Sequence, residues 1–260
     1  MQVLFRRDFD SDNELAIARQ YCNVKEYRSE CSDKLIVGRY SVLPYYRELE
    51  KDLASKDSKL VNSYRQHRWI ANFDYYDALK QFTFPTWTDD DFYLCKDDGP
   101  FVVKGRTNSR KHQWKTHMFA KDKHSASCIG SILSTDALIG EQGILYRKYV
   151  PLETFEIGIN DIPFTNEWRL FFFKHNLLTY GYYWSQADKA DEYRMPDGGL
   201  EFAKSIANIA KDYVNFFVLD IAKTQEGNWI LIEVNDGQMS GLSMCNPHEL
   251  YKQLDNRLKE

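Results

Sequence analysis

The chain has 260 residues, 43% hydrophobic and 15% aromatic, and carries a net charge of −4. That is ample material for a core, in one large domain or in two to three small lobes, and it argues against a general nucleic-acid or membrane-surface binder, which would need a strong basic excess. The five cysteines are scattered and form no CxxC pair, so free thiols in a reducing cytoplasm fit better than a disulfide framework or a zinc ribbon.

In chain order, residues 2–5 (QVLF) read as a strand, 12–21 as a helix, 34–40 (KLIVGRY) as a strand, and 45–54 as a helix after Pro44. This alternation predicts a small α/β lobe. The start, MQVLFRRDFD, lacks the apolar stretch of a signal peptide, and RLFFFKHNLL is broken by Lys174 and His175 before it reaches a membrane-spanning length. Residues 62–81 read as one aromatic-rich helix, and Phe84-Pro85-Thr86 marks a lobe boundary. FVVKGR (101–106) is a strand that enters a polar loop over 105–116, and GILYRKYVP (143–151) is a strand ended by Pro151. EWRLFFF (167–173) and LLTYGYYW (177–184) read as an antiparallel pair. A helix over 200–214 puts Leu200, Ala203, Ile206, Ala207, Ala210 and Tyr213 on one face. Strands over 216–224 and 229–235 follow, and a last helix starts near Pro247.

The last two strands carry the strongest chemical signal. FFVLDIAKT, QEGN and WILIEVN form a hairpin, with Glu226-Gly227 as a two-residue turn. That register sets Ile221 opposite Ile232, Asp220 opposite Glu233, and Val218 opposite Asn235. Leu219, Ile221, Ile232 and Val234 then face the 200–214 helix, while Asp220, Glu233 and Asn235 share the other face. Facing carboxylates repel by ~0.2–1 kcal/mol on an exposed sheet and by more when buried. A cation removes that cost, and oxygen-only ligands of this kind suit magnesium. The same pattern also fits a solvated polar face.

Between Gly99 and Lys121 there is no Asp or Glu, but there are Lys104, Arg106, Arg110, Lys111, Lys115 and Lys121. Lys104 ends an apolar strand, and the loop after it could close over a triphosphate. It could instead be a solvated loop, or could grip a nucleic-acid backbone with Trp114 as a stacking platform. Arg169 shares a strand face with Glu167 and could neutralise a transferred phosphate or simply pair with that glutamate. Arg39, at the end of KLIVGRY, could face the cleft and grip an acidic substrate or lie on the surface. The six histidines lack metal-ligand spacing and read as structural or solvent-facing.

A basic strand and loop, then Arg169, then VLDIAKT and IEVNDGQMSGL, in that order over roughly residues 65–245, resemble the ATP-grasp superfamily. The likeness is to the ligases that add glutamate to a ribosomal protein, and to small phage and bacterial members in which arginine replaces one of the usual lysines. The resemblance implies an α+β ATP-grasp fold: two lobes with antiparallel sheets, over 85–150 and 151–260, preceded by the small α/β lobe over 1–84. It implies that Asp220, Glu233 and Asn235 bind magnesium, that Lys104 touches the α- and β-phosphates of ATP, and that Arg169 sits near the γ-phosphate. Arg106 belongs to the phosphate loop. The hinge at Lys148, Tyr149 and Val150 would read the adenine edge, and Glu153 or Glu156 would bind the ribose. Three departures stand out. The glycine-rich phosphate loop is GRTNSRKHQW here, the hinge carries Arg147, which cannot accept a hydrogen bond, and the lysine expected before the first lobe is missing, with Arg68 or Arg65 nearby. The implied activity is a carboxylate–amine ligase, acting through an acyl-phosphate on a small molecule or peptide with an amine acceptor. A kinase acting on an alcohol, or a non-catalytic nucleotide or nucleic-acid binder, are the rival readings.

Overall fold

The computed structural model describes residues 1–5, 12–42, 44–158 and 162–259. The alternation at the start of the chain folds as a parallel sheet. Its elements are β1 (Gln2–Phe5), α1 (Asp12–Tyr21), β2 (Asn23–Lys25), β3 (Leu35–Arg39), α2 (Tyr46–Ala54) and β4 (Lys59–Leu60), in the strand order β2-β1-β3-β4. All of β1 is buried, as a parallel sheet covered on both faces requires. Leu4 and Ile36 pack with Leu49 and Leu53 of α2, and Val3, Phe5 and Val37 pack with Leu15 and Ala18 of α1.

The single helix expected over 62–81 is two. α3 (Tyr64–Ala71) starts on a capping box in which Gln66 N–H donates to Ser63 Oγ and Ser63 N–H donates to the Gln66 side chain. It ends because Phe73 takes left-handed backbone, φ +69°, and buries its ring against Tyr75 and Tyr76. α4 (Tyr75–Leu79) follows. The aromatic residues run through the break, so periodicity does not reveal it.

The next sheet contains β5 (Thr86–Thr88), β6 (Phe101–Gly105), β7 (Phe119–Ala120) and β8 (Ile144–Lys148), antiparallel in the order β5-β8-β6-β7. The stretch 105–116 is not an open loop: it winds through a 3-10 turn at Lys111–Gln113 into α5 (Trp114–His117). α6 (Lys123–Leu133), capped by Asp122 accepting from Ser125 N–H, packs Ala126, Ile129 and Leu133 on Phe101 and Val103. α7 (Ile139–Gln142) leads into β8.

A two-stranded ribbon, β9 (Thr154–Ile157) with β10 (Pro163–Thr165), precedes the largest sheet. That sheet contains β11 (Glu167–Phe173), β12 (Asn176–Tyr182), β13 (Phe216–Lys223) and β14 (Trp229–Asp236), antiparallel in the order β12-β11-β13-β14. α8 (Gly199–Ala210) crosses one face and α9 (Pro247–Lys259) ends the described chain. Leu170, Phe172, Leu219, Ile221, Leu231 and Val234 meet Ala203, Ile206, Ala207 and Ala210 of α8. Tyr213 lies past the end of that helix, half-exposed and stacked on Trp69. The opposite face divides along the strands. Phe171, Phe173, Phe216 and Val218 join α1 and α9 in a second core, while Glu167, Arg169, Asp220, Glu233 and Asn235 hold the other half by strict alternation.

The β13–β14 turn has three residues. Thr224 N–H donates to Asn228 O at 2.8 Å and Gly227 N–H to Thr224 O at 2.9 Å, with Gly227 at φ +87°. The ladder therefore starts one residue away from the expected register, and Ile221 faces Leu231, not Ile232. A bulge next to Asp220 then absorbs Ile232 and restores Asp220 opposite Glu233 and Val218 opposite Asn235. Leu231 takes the core position expected of Ile232, which lines the cleft. The five cysteines are free, and among the described residues no helix is long and apolar enough to cross a membrane.

Candidate active site

β11 and β13 place Arg169 directly opposite Asp220. The guanidinium grips that carboxylate with both arms, Nε to Oδ1 at 2.9 Å and Nη2 to Oδ2 at 2.7 Å. Its remaining arm donates to Gly241 O at 2.8 Å. The segment carrying Gly241 is held to β12 by Met244 N–H donating to Tyr182 O at 3.1 Å. It can lie that close because residue 181 is glycine: a Cβ there would stand 2.3 Å from the Met244 backbone. Arg169 is thus committed to Asp220, not to Glu167.

Glu233 is bound by the ammonium of Lys104, which comes from β6 in the other sheet. Asn235 Nδ2 donates to Asp220 Oδ2 and to Glu233 Oε1, both at 3.1 Å. Two cations and an amide thus remove the repulsion between the facing carboxylates. Burial alone would raise the Glu233 carboxyl, but Lys104, Lys111 and Asn235 hold it well below the usual carboxylate range. For Asp220 burial outweighs Arg169 and sets the carboxyl above its ordinary value. Among the described residues no group of three or more His, Cys, Asp or Glu converges on a metal position. The set is two carboxylates and one amide, all able to offer oxygen. It fits a hard divalent ion such as magnesium that keeps waters and phosphate oxygens as further ligands, provided the Asn235 amide turns its oxygen inward.

Two cavities meet here. The first, 190 Å³, is walled by Val102, Trp114, Met118, Ile232, Glu167 and the chain from Arg147 to Val150. The second, 350 Å³, is walled by His67, Asn108, Arg169, Tyr183, Asn235 and Ser240. Lys104, Ser109, Lys111 and Glu233 line both, and so mark the passage between them.

The other residues singled out by sequence are placed as follows. Lys148 N–H donates to Pro85 O at 2.8 Å and Tyr149 N–H to Pro100 O at 2.9 Å, and the Lys148 ammonium pairs with Asp97 at 3.0 Å. Arg147 donates to Ile232 O at 2.6 Å and Thr83 Oγ1 at 2.7 Å, with its guanidinium 4.5 Å from the Phe84 ring. Glu153 accepts from Asn166 at 2.8 Å, and Glu156 holds Asp188 N–H, Lys189 N–H and the Tyr193 hydroxyl. Arg106 donates to Asn72 O at 3.3 Å, and Arg68 is exposed on α3 beside Tyr64. Glu153, Glu156, Arg106 and Arg68 line neither cavity. Arg39 does not face the cleft: it is buried between Glu14, at 2.7 and 3.0 Å, and Gly237 O. Trp114 lines the first cavity instead of presenting an outer platform.

Three side chains at the site were not singled out by sequence reasoning. Glu167 is 4% exposed. Thr165 Oγ1 donates to its Oε2 at 3.2 Å, and its Oε1 is buried without a partner. Burial first, then Asp220 and Glu233, push its carboxyl up to about 7 against the pull of Lys111 and Arg169. The Glu-x-Arg alternation was its signal, but it pointed only to a pair with Arg169. Lys111 was one of six cations in a run, and nothing in the spacing separates it from Arg110, which is clamped to Asp136. His67 Nδ1 lies 3.1 Å from Asp236 Oδ2, and the ring stacks on Tyr46 at 4.2 Å; a partner so far along the chain leaves no local trace.

The fold is similar to that of D-cycloserine synthetase (TM-score 0.58, 14% identity, 99% of each chain covered). It is similar to a RimK-domain ATP-grasp protein from Sphaerobacter thermophilus DSM 20745 (TM-score 0.58, 13% identity, 100% of each chain). It is also similar to a RiPP-associated ATP-grasp ligase from Chryseobacterium gregarium, solved with ADP and a leader and core peptide (TM-score 0.60, 9% identity, 99% of this chain and 96% of that one). No curated protein matches the chain. A family model described as an ATP-grasp domain, the third family of its clade, matches residues 93–254.

Proposed function

The chain belongs to that clade-level family of ATP-grasp domains, and on that footing we propose that it is an ATP-dependent carboxylate–amine ligase working through an acyl-phosphate. The observation that carries this reading is the cluster of Lys104, Arg169, Asp220, Glu233 and Asn235 at the passage between two cavities. Val102, Met118 and Ile232 give the first cavity apolar walls suited to a base. Because the N–H groups of Lys148 and Tyr149 are already engaged, the hinge carbonyls and the Val150 amide are left to read its edge. The partnerless Oε1 of Glu167 is better placed than Glu153 to accept from a ribose hydroxyl.

Triphosphate oxygens would then cross the passage, with Lys104 at the α- and β-phosphates and the reacting carboxylate and amine in the second cavity. Magnesium, held by Asp220, Glu233 and Asn235, would neutralise phosphate charge as it is transferred. Arg169, oriented by Asp220 and the Gly241 carbonyl, keeps a fixed positive charge beside the phosphoryl group. The second cavity and its walls position the two substrates and exclude water from the activated carboxyl. The solved ligases similar in fold favour amide formation over phosphorylation of an alcohol, and one of them was solved with peptides, which keeps both peptides and small molecules as substrate classes.

The test is Mg-ATP-dependent ADP release across amino acids, peptides and polyamines, with hydroxylamine added to trap an activated carboxyl. A hydroxamate product is expected. ADP release with a phosphorylated alcohol and no hydroxamate would make the protein a kinase. No thermal shift with Mg-ATP, beside steeply salt-dependent oligonucleotide binding, would make it a non-catalytic binder.

A further inference from the structure

Lys104 and Arg169 each hold a carboxylate, so neither can turn fully to a phosphate without giving one up. Lys111 is different. Its ammonium donates to the Tyr183 hydroxyl and lies 4.1 Å from the Tyr183 ring centre and 5.2 Å from that of Trp184. Among the described residues no carboxylate is within ion-pair distance of it. The Tyr183 ring also carries the Arg169 guanidinium, 4.8 Å from its centre. Two positive charges thus share one phenol. A buried ammonium with a hydroxyl and ring faces as its only neighbours is short of negative charge. It stands in the passage that joins the two cavities. Its root is fixed, because Arg110 is tied to Asp136 and the side chains of Thr107 and Asn108 are tied to Gln142.

We propose that Lys111 holds the terminal phosphate of the nucleoside triphosphate, and that Tyr183 keeps the ammonium in place until the nucleotide arrives. A side-chain charge thereby does what backbone amides would do in a glycine-rich loop. The identity of the ligand rests on the ligase reading above.

The experiment is calorimetric titration of the full chain with Mg-ATP and Mg-ADP, for the wild type, Lys111→Met, Lys111→Arg and Tyr183→Phe. Lys111→Met should weaken Mg-ATP by at least about 10-fold while Mg-ADP changes less than about 2-fold, which also shows that the variant is folded. Lys111→Arg should keep most of the ATP affinity, and Tyr183→Phe should leave it unchanged or tighten it. Equal loss of both nucleotides in Lys111→Met, or loss of neither, overturns the assignment and leaves the ligase reading standing. Tyr183→Phe weakening ATP as much as Lys111→Met overturns the waiting role. A wild type that binds neither nucleotide overturns both readings.

Discussion

The two faces of the β12-β11-β13-β14 sheet are made by the same strands and are buried to the same depth, yet they are stabilised differently. Ile221 and Asp220 are adjacent and both fully buried, at 0% exposure. Ile221 meets the apolar side of α8. Asp220 meets Arg169 and Asn235. On the first face burial itself is favourable. On the second each charged group is costly to bury, and the cost is offset only while every partner is present. The contrast teaches that depth does not identify a site; the need for partners does.

The largest break in that contrast should come from Arg169→Met. It leaves Asp220 buried and uncompensated, and should destabilise the fold by about 3–5 kcal/mol in urea unfolding and stop Mg-ATP-dependent ADP release. Adding Asp220→Asn should recover most of the stability and none of the turnover. Recovery of turnover would refute the assignment of these groups.

Glu167→Gln should give a smaller effect of opposite sign. The folded carboxyl titrates near 7, and the ordinary value is 4.5. Between these values the folded state binds more protons than the unfolded, so this group's contribution falls as pH rises through that window. The variant should therefore be more stable than wild type above pH 7, by on the order of 3 kcal/mol, with the gain vanishing toward pH 4.5. Thermal melts across that range give the slope directly, and a pH-independent difference would contradict the burial argument.

The sharpest comparison comes from two mild variants. Asn235→Ala should cost roughly 1 kcal/mol and abolish ADP release. Ile206→Val, on the α8 face, should cost about 0.5–1.5 kcal/mol and leave ADP release per folded molecule unchanged. Matching stability losses with opposite activity outcomes would separate the two faces; matching activities would merge them.

Much of this arrangement was legible in the chain. Alternation in EWRLFFF and FFVLDIAKT is a local property, so the split between Trp168, Leu170 and Leu219 on one side and Arg169 and Asp220 on the other follows from reading every second residue. Asp220 opposite Glu233 also followed, but through compensating differences: the turn holds three residues, and the bulge at Ile232 returns the ladder to the simpler register. No local rule foresees that bulge. The break at Phe73 was hidden for a similar reason, because burial of one ring overrides helical spacing. Lys111, Glu167 and His67 were not singled out because what distinguishes them is a missing or distant partner, and a sequence shows neither.

The bulge has a consequence for whatever occupies the cleft. A regularly pleated strand turns one residue in two toward a ligand, so an oily patch and a charge on the same side stand at least two residues apart. Because Ile232 is absorbed as an extra residue, it and Glu233 both line the first cavity. The change from hydrocarbon wall to anionic anchor is compressed into one residue's rise, about 3.3 Å, which lets a flat ring and its charged tail be gripped by neighbours on one strand.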